Sequence, residues 1–257
     1  MKNGSSDLSD ICVAGITPFT TIDFPGKLAA VFYLQGCPWR CRYCCNSEFW
    51  SLPDASLPSD HASVPAPTSG VGVSPEKMKQ FLLARKGHLD GIVFSGGEPT
   101  IHKRLPVWMS AVRALGYQVG LHTAGANPEL LRAILPFCDW VGMDVKAPFH
   151  LYEKITMIPG SGTAARMSVQ MLMASQVPYE LRTTIHPELL SDDDVLAMIR
   201  ELVSLGATRH VLQLFRPDHC ADKKLVLNYP LTAGVSDSLL IALRGLLKDF
   251  SVRGKNE

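Results

Sequence analysis

The stretch LAAVFYLQGCPWRCRYCCN, residues 28–46, joins an apolar run to a loop holding four of the chain's seven cysteines. Leu28 to Gln35 reads as a strand buried on both faces. Further short apolar runs follow at 91–95 (GIVFS), 117–122 (YQVGLH), 139–144 (DWVGMD), 178–185 (PYELRTTI) and 209–215 (RHVLQLF). Each is short, apolar and flanked by turn residues, so six strands are expected.

Helical patterns separate them. Ser74 and Pro75 form an N-cap and first-turn proline ahead of EKMKQFLLARK. Leu105, Trp108, Val112 and Leu115 share one helical face, and Gly116 ends that helix. Asn127 and Pro128 open another. Ser191 with Asp192, Asp193 and Asp194 starts one with acids at the positive dipole end, and Val195, Ile199, Leu202 and Val203 form its buried face. A last helix is expected over 236–250, with Leu239, Leu243, Leu246 and Phe250 on one side. Six βα units in a row require a parallel sheet with right-handed crossovers, either a partial barrel or a flat doubly wound sheet. In both, ligands gather at the C-terminal strand ends.

The 257 residues are 46% apolar and 19% charged, a composition that supports a sizeable core. A net charge of +1 lacks the basic field of a general nucleic-acid binder. No run approaches the roughly 18 to 20 apolar residues of a membrane span, and the first residues lack a secretory pattern. A cytoplasmic protein is expected, in which clustered cysteines bind metal or do chemistry rather than form disulfides. Cys12, Cys138 and Cys220 are scattered and read as small hydrophobes. Residues 51–72, rich in Pro, Ser and Ala, read as a flexible surface loop. The chain is read as one domain over 1–257, with an extension at 1–27 and a βα core at 28–250.

Cys37, Cys41 and Cys44 form C-x3-C-x2-C directly after the first strand. Three thiolates in one loop can converge on zinc or an iron–sulfur cluster. Structural zinc closes with four ligands, often as two separated pairs, and no second pair exists here. Cys45 follows Cys44 directly, and neighbouring side chains on an extended loop diverge. On a four-iron cluster, three cysteines leave one iron open.

The other unusual motifs also fall at strand ends. SGGEPT (95–100) offers Gly96 and Gly97 for close backbone approach and Glu98 for an ammonium group. LHTAGANP (121–128) ends the third strand and MDVKAP (143–148) the fourth. Asp144 and Lys146, two apart, point to one side of an extended chain. LRTTIHP supplies Arg182, Thr183 and His186, and LQLFRPDHC supplies Gln213 and Arg216.

The C-x3-C-x-aromatic-C spacing, with Tyr43 as the aromatic, and the GGE motif resemble the radical S-adenosylmethionine (SAM) superfamily. Within it, TIDFPGKLAAVFYLQGCPWRCRYC (21–44) is similar to activating enzymes of glycyl radical proteins, which carry a D-x-P-G element; Asp23, Phe24, Pro25 and Gly26 match it. GIVFSGGEPT, MDVKAP and LQLFRP look most like the activase of anaerobic class III ribonucleoside-triphosphate reductase. The resemblance covers roughly residues 12–220 and implies an α/β partial (β/α)6 TIM-like barrel. It implies a [4Fe–4S] cluster on Cys37, Cys41 and Cys44. SAM would be bound around Tyr43, Gly96, Gly97, Glu98, Thr123, Asp144, Val145, Lys146, Arg182 and Gln213. One electron from flavodoxin or ferredoxin would cleave SAM to a 5′-deoxyadenosyl radical that takes a glycine Cα hydrogen from a partner protein.

The sequence departs from these activases in three places. Cys45 stands where a His follows the third cysteine, His122 and Ala124 replace the Asp and Asn of DTNG, and the 51–72 loop is longer. The Asp helps bind a cation beside SAM in some relatives, so His122 puts such a cation site in doubt. The competing readings are a radical SAM enzyme acting on a small molecule, such as a 7-carboxy-7-deazaguanine synthase, and a metal-binding module without catalysis.

Overall fold

The computed structural model describes residues 11–51, 72–230 and 234–254; the expected loop at 51–72 thus lies, save its two end residues, outside the described residues. Eight strands form one sheet in chain order: β1 Val13–Thr20, β2 Ala29–Leu34, β3 Gly91–Gly96, β4 Gln118–Thr123, β5 Trp140–Asp144, β6 Tyr179–Ile185, β7 Arg209–Leu214 and β8 Asp249–Arg253. β1 is antiparallel to β2, and every later pair is parallel. The helices are α1 Pro75–Arg85, α2 Leu105–Ala114, α3 Pro128–Ile134, α4 Tyr152–Thr156, α5 Ser161–Ser175, α6 Asp192–Ser204, α7 Lys223–Leu227 and α8 Asp237–Leu246.

The six expected strands are β2 to β7, each within two residues of its expected bounds. The helix signals act as read. Ser74 and Asn127 accept from the amides of Lys77 and Leu130, and Ser191 closes a capping box with Asp194. Gly116 leaves α2 with φ +98°, open only to glycine at low cost.

The two edge strands were not expected. β1 contains Gly15 and Pro18 and carries register shifts between Val13 and Gly15 and between Thr17 and Thr20, so its alternation is broken. The C-terminal helix is shorter than expected. α8 ends at Leu246, and Phe250 instead sits in β8 opposite His210. The Leu239–Phe250 spacing is helical by coincidence, because no glycine or proline marks the turn between α8 and β8.

Register puts alternate residues on the sheet's inner face. Val31, Val93, Gly120 and Trp140 form one inner row across β2 to β5. At the N-terminal strand ends Phe24 fills this face. Its ring stacks on Trp140 at 5.9 Å, and a Cβ on Gly91 would meet it at 2.8 Å. Phe24, Ala29, Val31, Val93 and Trp140 thereby form a small inner core that closes the floor. The larger core lies outside, where Phe32, Phe94, Leu121, Val141, Leu181 and Leu212 meet helix residues such as Met78, Trp108, Leu131, Val169 and Ile199. Each fully buried side chain of this kind contributes about 1.5–3 kcal/mol. The sheet is thus a partial barrel, floored by Phe24 and open at its C-terminal rim.

Candidate active site at the C-terminal rim

The cysteine loop is fixed from both sides by main-chain hydrogen bonds. Gln35 Nε2 donates to the Glu48 and Ser51 carbonyls at 3.0 and 2.6 Å, tying the two ends of the loop together. On one flank the amides of Arg40 and Arg42 donate to Thr156 and Ile155 of α4 at 2.9 and 3.0 Å. On the other, the amides of Ala221 and Asp222 donate to the Cys44 and Arg42 carbonyls at 2.9 and 3.1 Å. The Arg42–Asp222 ion pair at 2.8 Å and Trp39, edge-on to Tyr152, complete the clamp.

Gly96 and Gly97 join this loop to β3. A Cβ on Gly96 would lie 2.4 Å from the Leu34 nitrogen, and one on Gly97 2.1 Å from the Gly36 oxygen. The close approach demanded of these glycines is thus to protein backbone. The Gly97 and Glu98 amides donate to Leu34 and Gly36, each at 2.8 Å.

Glu98 follows, 1% exposed. Its Oε1 accepts from the Thr100 amide at 2.9 Å, the Thr100 hydroxyl at 2.6 Å and the Thr123 hydroxyl at 2.5 Å. Oε2 accepts from the Ala124 amide at 2.8 Å. This network sets the carboxylate by the ends of β3 and β4 and leaves acceptor capacity on Oε2.

Cys37, Cys41, Tyr43, Cys44, Cys45, Gly96, Gly97, Glu98, Thr123, Asp144, Lys146, Arg182 and Gln213 line one cavity of about 290 Å³. Of the residues expected around SAM, only Val145 stands apart. Its amide donates to the Arg182 carbonyl and its carbonyl accepts from Thr183, so it belongs to the β5–β6 ladder and the outer core. His186 is elsewhere too. Its ring donates to the Leu225 carbonyl at 3.0 Å, accepts from the Glu188 amide at 3.2 Å and packs on Phe215, a structural histidine with both nitrogens satisfied.

Burial dominates the cavity's electrostatics. It pushes the Cys37 thiol up to about 12, aided by the Glu98 charge, and the Cys41 thiol to about 11 against the pull of Lys146. Cys44 is raised for the same reason. These thiols become thiolates only beside positive charge, such as a metal centre supplies. Among the described residues, no three His, Cys, Asp or Glu side chains converge tightly enough for a single ion. Cys37, Cys41 and Cys44 all line the one cavity, a set of soft ligands that suits an iron–sulfur cluster.

Lys146 Nζ lies 3.2 Å from Asp144 Oδ2 and 5.5 Å above the Tyr43 ring. Burial opposes the Asp144 charge, but Lys146 and Arg182 hold its carboxyl below the usual range. Burial likewise disfavours the Lys146 ammonium, and Tyr43 and Asp144 outweigh it. His122 lies 2.8 Å from the Asp23 carbonyl. That oxygen only accepts, so Nε2 carries a proton. Burial and the Arg182 charge lower its pKa to about 4.

Glu180 was missed in the sequence. It is fully buried and accepts from Arg182 at 2.9 Å, Arg209 at 3.3 Å and Arg253 at 2.6 and 2.7 Å, one arginine from each of β6, β7 and β8. The same two-residue spacing that pairs Asp144 with Lys146 relates Glu180 to Arg182, and that was the available signal. Gly142 is its complement: a Cβ there would meet Arg182 Nη2 at 2.5 Å.

A partial parallel barrel with three thiols and a GGE turn on its C-terminal rim is the framework of a radical SAM protein. The sequence profile of the radical SAM superfamily matches residues 31–178, more than half of the chain, which therefore belongs to that superfamily. Membership implies SAM and an iron–sulfur cluster. A protein of Methanocaldococcus jannaschii named as a glycyl-radical enzyme activating enzyme is 27% identical over 222 residues, 82% of this chain and 83% of its own length. A pyruvate formate-lyase-activating enzyme of Clostridium pasteurianum is 29% identical over 49% of this chain and 48% of its own. A 7-carboxy-7-deazaguanine synthase of Thermococcus kodakarensis is 30% identical over 47% of this chain and 50% of its own. The chain is thus homologous to glycyl radical enzyme activases. Among solved structures, Streptococcus suis SuiB bound to precursor peptide SuiA matches with TM-score 0.57 at 10% identity, over 88% of this chain and 48% of that one. Methylornithine synthase matches at 0.55 and 13%, over 86% and 63%. These two likenesses show the fold. No helix among the described residues is long and apolar enough to cross a membrane.

Proposed function

We propose that this protein is a cytoplasmic activase that removes a Cα hydrogen from a glycine of a partner enzyme, with anaerobic ribonucleoside-triphosphate reductase as the partner and flavodoxin or ferredoxin as the electron donor. The observation that carries the reading is the position of the D-F-P-G turn. Phe24 floors the barrel, while Ile22 and Asp23 line the outer space contiguous with the thiol-lined cavity. The element resembling glycyl radical activases thus borders the space through which, in this reading, a polypeptide substrate enters.

In this reading Cys37, Cys41 and Cys44 hold a [4Fe–4S] cluster as thiolates, leaving one iron for SAM. Bound together, these cofactors supply a one-electron cleavage that yields a hydrogen-abstracting radical. The chain's own residues do the rest. Glu98, held by Thr100, Thr123 and Ala124, keeps Oε2 for the SAM ammonium. Lys146 presents a cation to the SAM carboxylate, and Asp144 holds that ammonium in place. Tyr43 and Trp39 exclude water, which protects a radical from side reactions.

The test is anaerobic. Iron and sulfide are reconstituted, SAM and dithionite are added, and 5′-deoxyadenosine is measured. The reductase encoded in the same genome is then added and a glycyl radical sought by EPR. A radical doublet on the reductase supports the reading. SAM cleavage with no radical on any glycyl radical protein of that genome overturns it in favour of a small-molecule substrate, which the similarity to 7-carboxy-7-deazaguanine synthase makes the alternative.

A further inference from the structure

The flank of the cysteine loop carries a shallow hollow of about 360 Å³, lined by Arg40, Arg42, Trp50, Asp222, Lys223 and Lys224. Trp50 also lines the thiol-lined cavity, so its indole stands between the hollow and the thiols. On the outer side the Arg40 guanidinium lies 5.3 Å from the centre of the Trp50 ring, and its Nη1 donates to the Cys37 and Trp39 carbonyls at 2.7 and 2.9 Å. On the inner side burial raises the Cys44 thiol, and the Trp50 indole N–H is one of the groups that pull it back. One side chain thus separates this surface from a proposed cluster ligand.

The hollow sets four cations against one carboxylate. Asp222 is engaged by Arg42 at 2.8 Å and by the Lys224 amide at 3.0 Å. Lys223 and Lys224 are exposed. The two segments that build this flank, 40–50 and 216–224, add Arg216 and set Glu48 and Asp218 against it. Five cations therefore face three carboxylates, a net +2 where the whole chain carries only +1. α4, which borders the loop, contributes one of each sign in Glu153 and Lys154.

Past Tyr43, Cys45 and Gln213, which line both spaces, the thiol-lined cavity continues into the outer space beside Asp23. SAM and a partner segment occupy that route in the proposed function, so an electron donor needs another approach. A shallow charged surface suits one, because electron-transfer encounters are small, transient and electrostatically steered. Resting on the radical SAM reading, we propose that the hollow is the docking surface for an acidic one-electron carrier protein. Lys223 and Lys224 hold its carboxylates, and Trp50 bridges the remaining gap to Cys44. One electron leaves the reduced carrier and enters the cluster on Cys37, Cys41 and Cys44. The carrier is oxidised and the cluster reduced by that electron, and no atom moves.

The test uses the anaerobically reconstituted protein with labelled flavodoxin and ferredoxin of net negative charge from the same genome. Binding is read by fluorescence anisotropy. 5′-Deoxyadenosine formation is then driven either by the reduced carrier or by dithionite. Lys223→Glu with Lys224→Glu should weaken carrier binding about tenfold and slow carrier-driven cleavage, leaving dithionite-driven cleavage unchanged. Lys223→Arg with Lys224→Arg should keep wild-type binding. Arg244→Glu with Lys248→Glu, the same charge change at the end of α8 and just before β8, should keep it too. Salt should weaken wild-type binding and affect the reversed variant much less. Binding of one carrier alone supports the surface and names the donor. An equal loss in both reversed variants makes the effect one of net charge and overturns the docking surface. So does unchanged binding in the Lys223 and Lys224 reversal, a matching loss of dithionite-driven cleavage, or no binding of either carrier to the wild type. A fluorescent oligonucleotide that binds more tightly than either carrier overturns it in favour of nucleic acid. Each of these failures leaves the glycyl-radical reading standing, since that reading is tested with dithionite as the reductant.

Discussion

Gly97 rests directly on Gly36: a Cβ on Gly97 would stand 2.1 Å from the Gly36 carbonyl oxygen. The glycine pair of the GGE turn is therefore a joint between β3 and the cysteine loop. Gly97→Ala should push the two backbones apart and lower stability by about 1–3 kcal/mol, read as a drop in the urea midpoint. Gly245→Ala, in α8 with open space around it, should instead raise stability by about 0.5–1 kcal/mol. Equal behaviour of the two variants would remove the joint.

Cys44 and Cys45 are neighbours with different surroundings. The Cys44 amide closes a turn onto the Cys41 carbonyl at 3.0 Å, which draws the two residues together. Cys45 sends its thiol toward the Tyr43 and Arg216 carbonyls, each at 3.7 Å, and borders both spaces. Cys44→Ala should lose iron and sulfide after reconstitution, while Cys45→Ala should keep wild-type content. Loss of iron from both would make Cys45 a ligand or a support of one.

The central strands, most of the helix caps and the rim motifs were legible because each rests on local chemistry: an apolar run, a Ser or Asn before a helix, a glycine pair before a glutamate. What escaped the sequence depended on partners far along the chain. β1 is a strand because β2 offers it an edge, although Gly15 and Pro18 weaken its own pattern. β8 was hidden inside a helical spacing that continued to Phe250. Gly142 looked like any strand glycine, and only the distant Arg182 gives it a reason. Glu180 meets Arg253 seventy-three residues away, a contact no local pattern encodes.

His122 is half-buried and His210 fully buried, and both are held neutral. Burial and Arg182 lower His122 to about 4, and burial lowers His210 to about 3, against an ordinary 6.5. Below pH 6.5 the unfolded chain takes up protons at both rings that the folded chain refuses. Their contribution is therefore full above pH 6.5 and is lost as pH falls toward 4. Between pH 7 and 5 each should cost about 1–2 kcal/mol. His122→Gln and His210→Gln, which can donate without titrating, should each flatten that fall in urea denaturation. An unchanged pH slope in either variant would show that its ring does not resist protonation.

Glu180 is fully buried beneath the arginines of β6, β7 and β8, so its removal leaves three guanidinium groups around an uncharged centre. Removing one partner of a buried pair costs about 3–5 kcal/mol. Two of these arginines keep about two-fifths of their side chains in water, so Glu180→Gln should cost about 3 kcal/mol, the low end of that range. The loss should concentrate at β8, an edge strand that Arg253 ties across β7 to Glu180 of β6. Hydrogen–deuterium exchange over 249–253 should accelerate more than exchange over β3. Burial opposes the Glu180 charge, yet Arg253 and Arg182 hold its carboxyl below the ordinary 4.5. In the wild type this contribution is present above pH 4.5 and fades as pH falls toward the lowered folded value. The Gln variant should lack that acid-dependent loss. Exchange that rises equally in β3 and β8 would make Glu180 a general packing residue rather than the tie that holds the last strand.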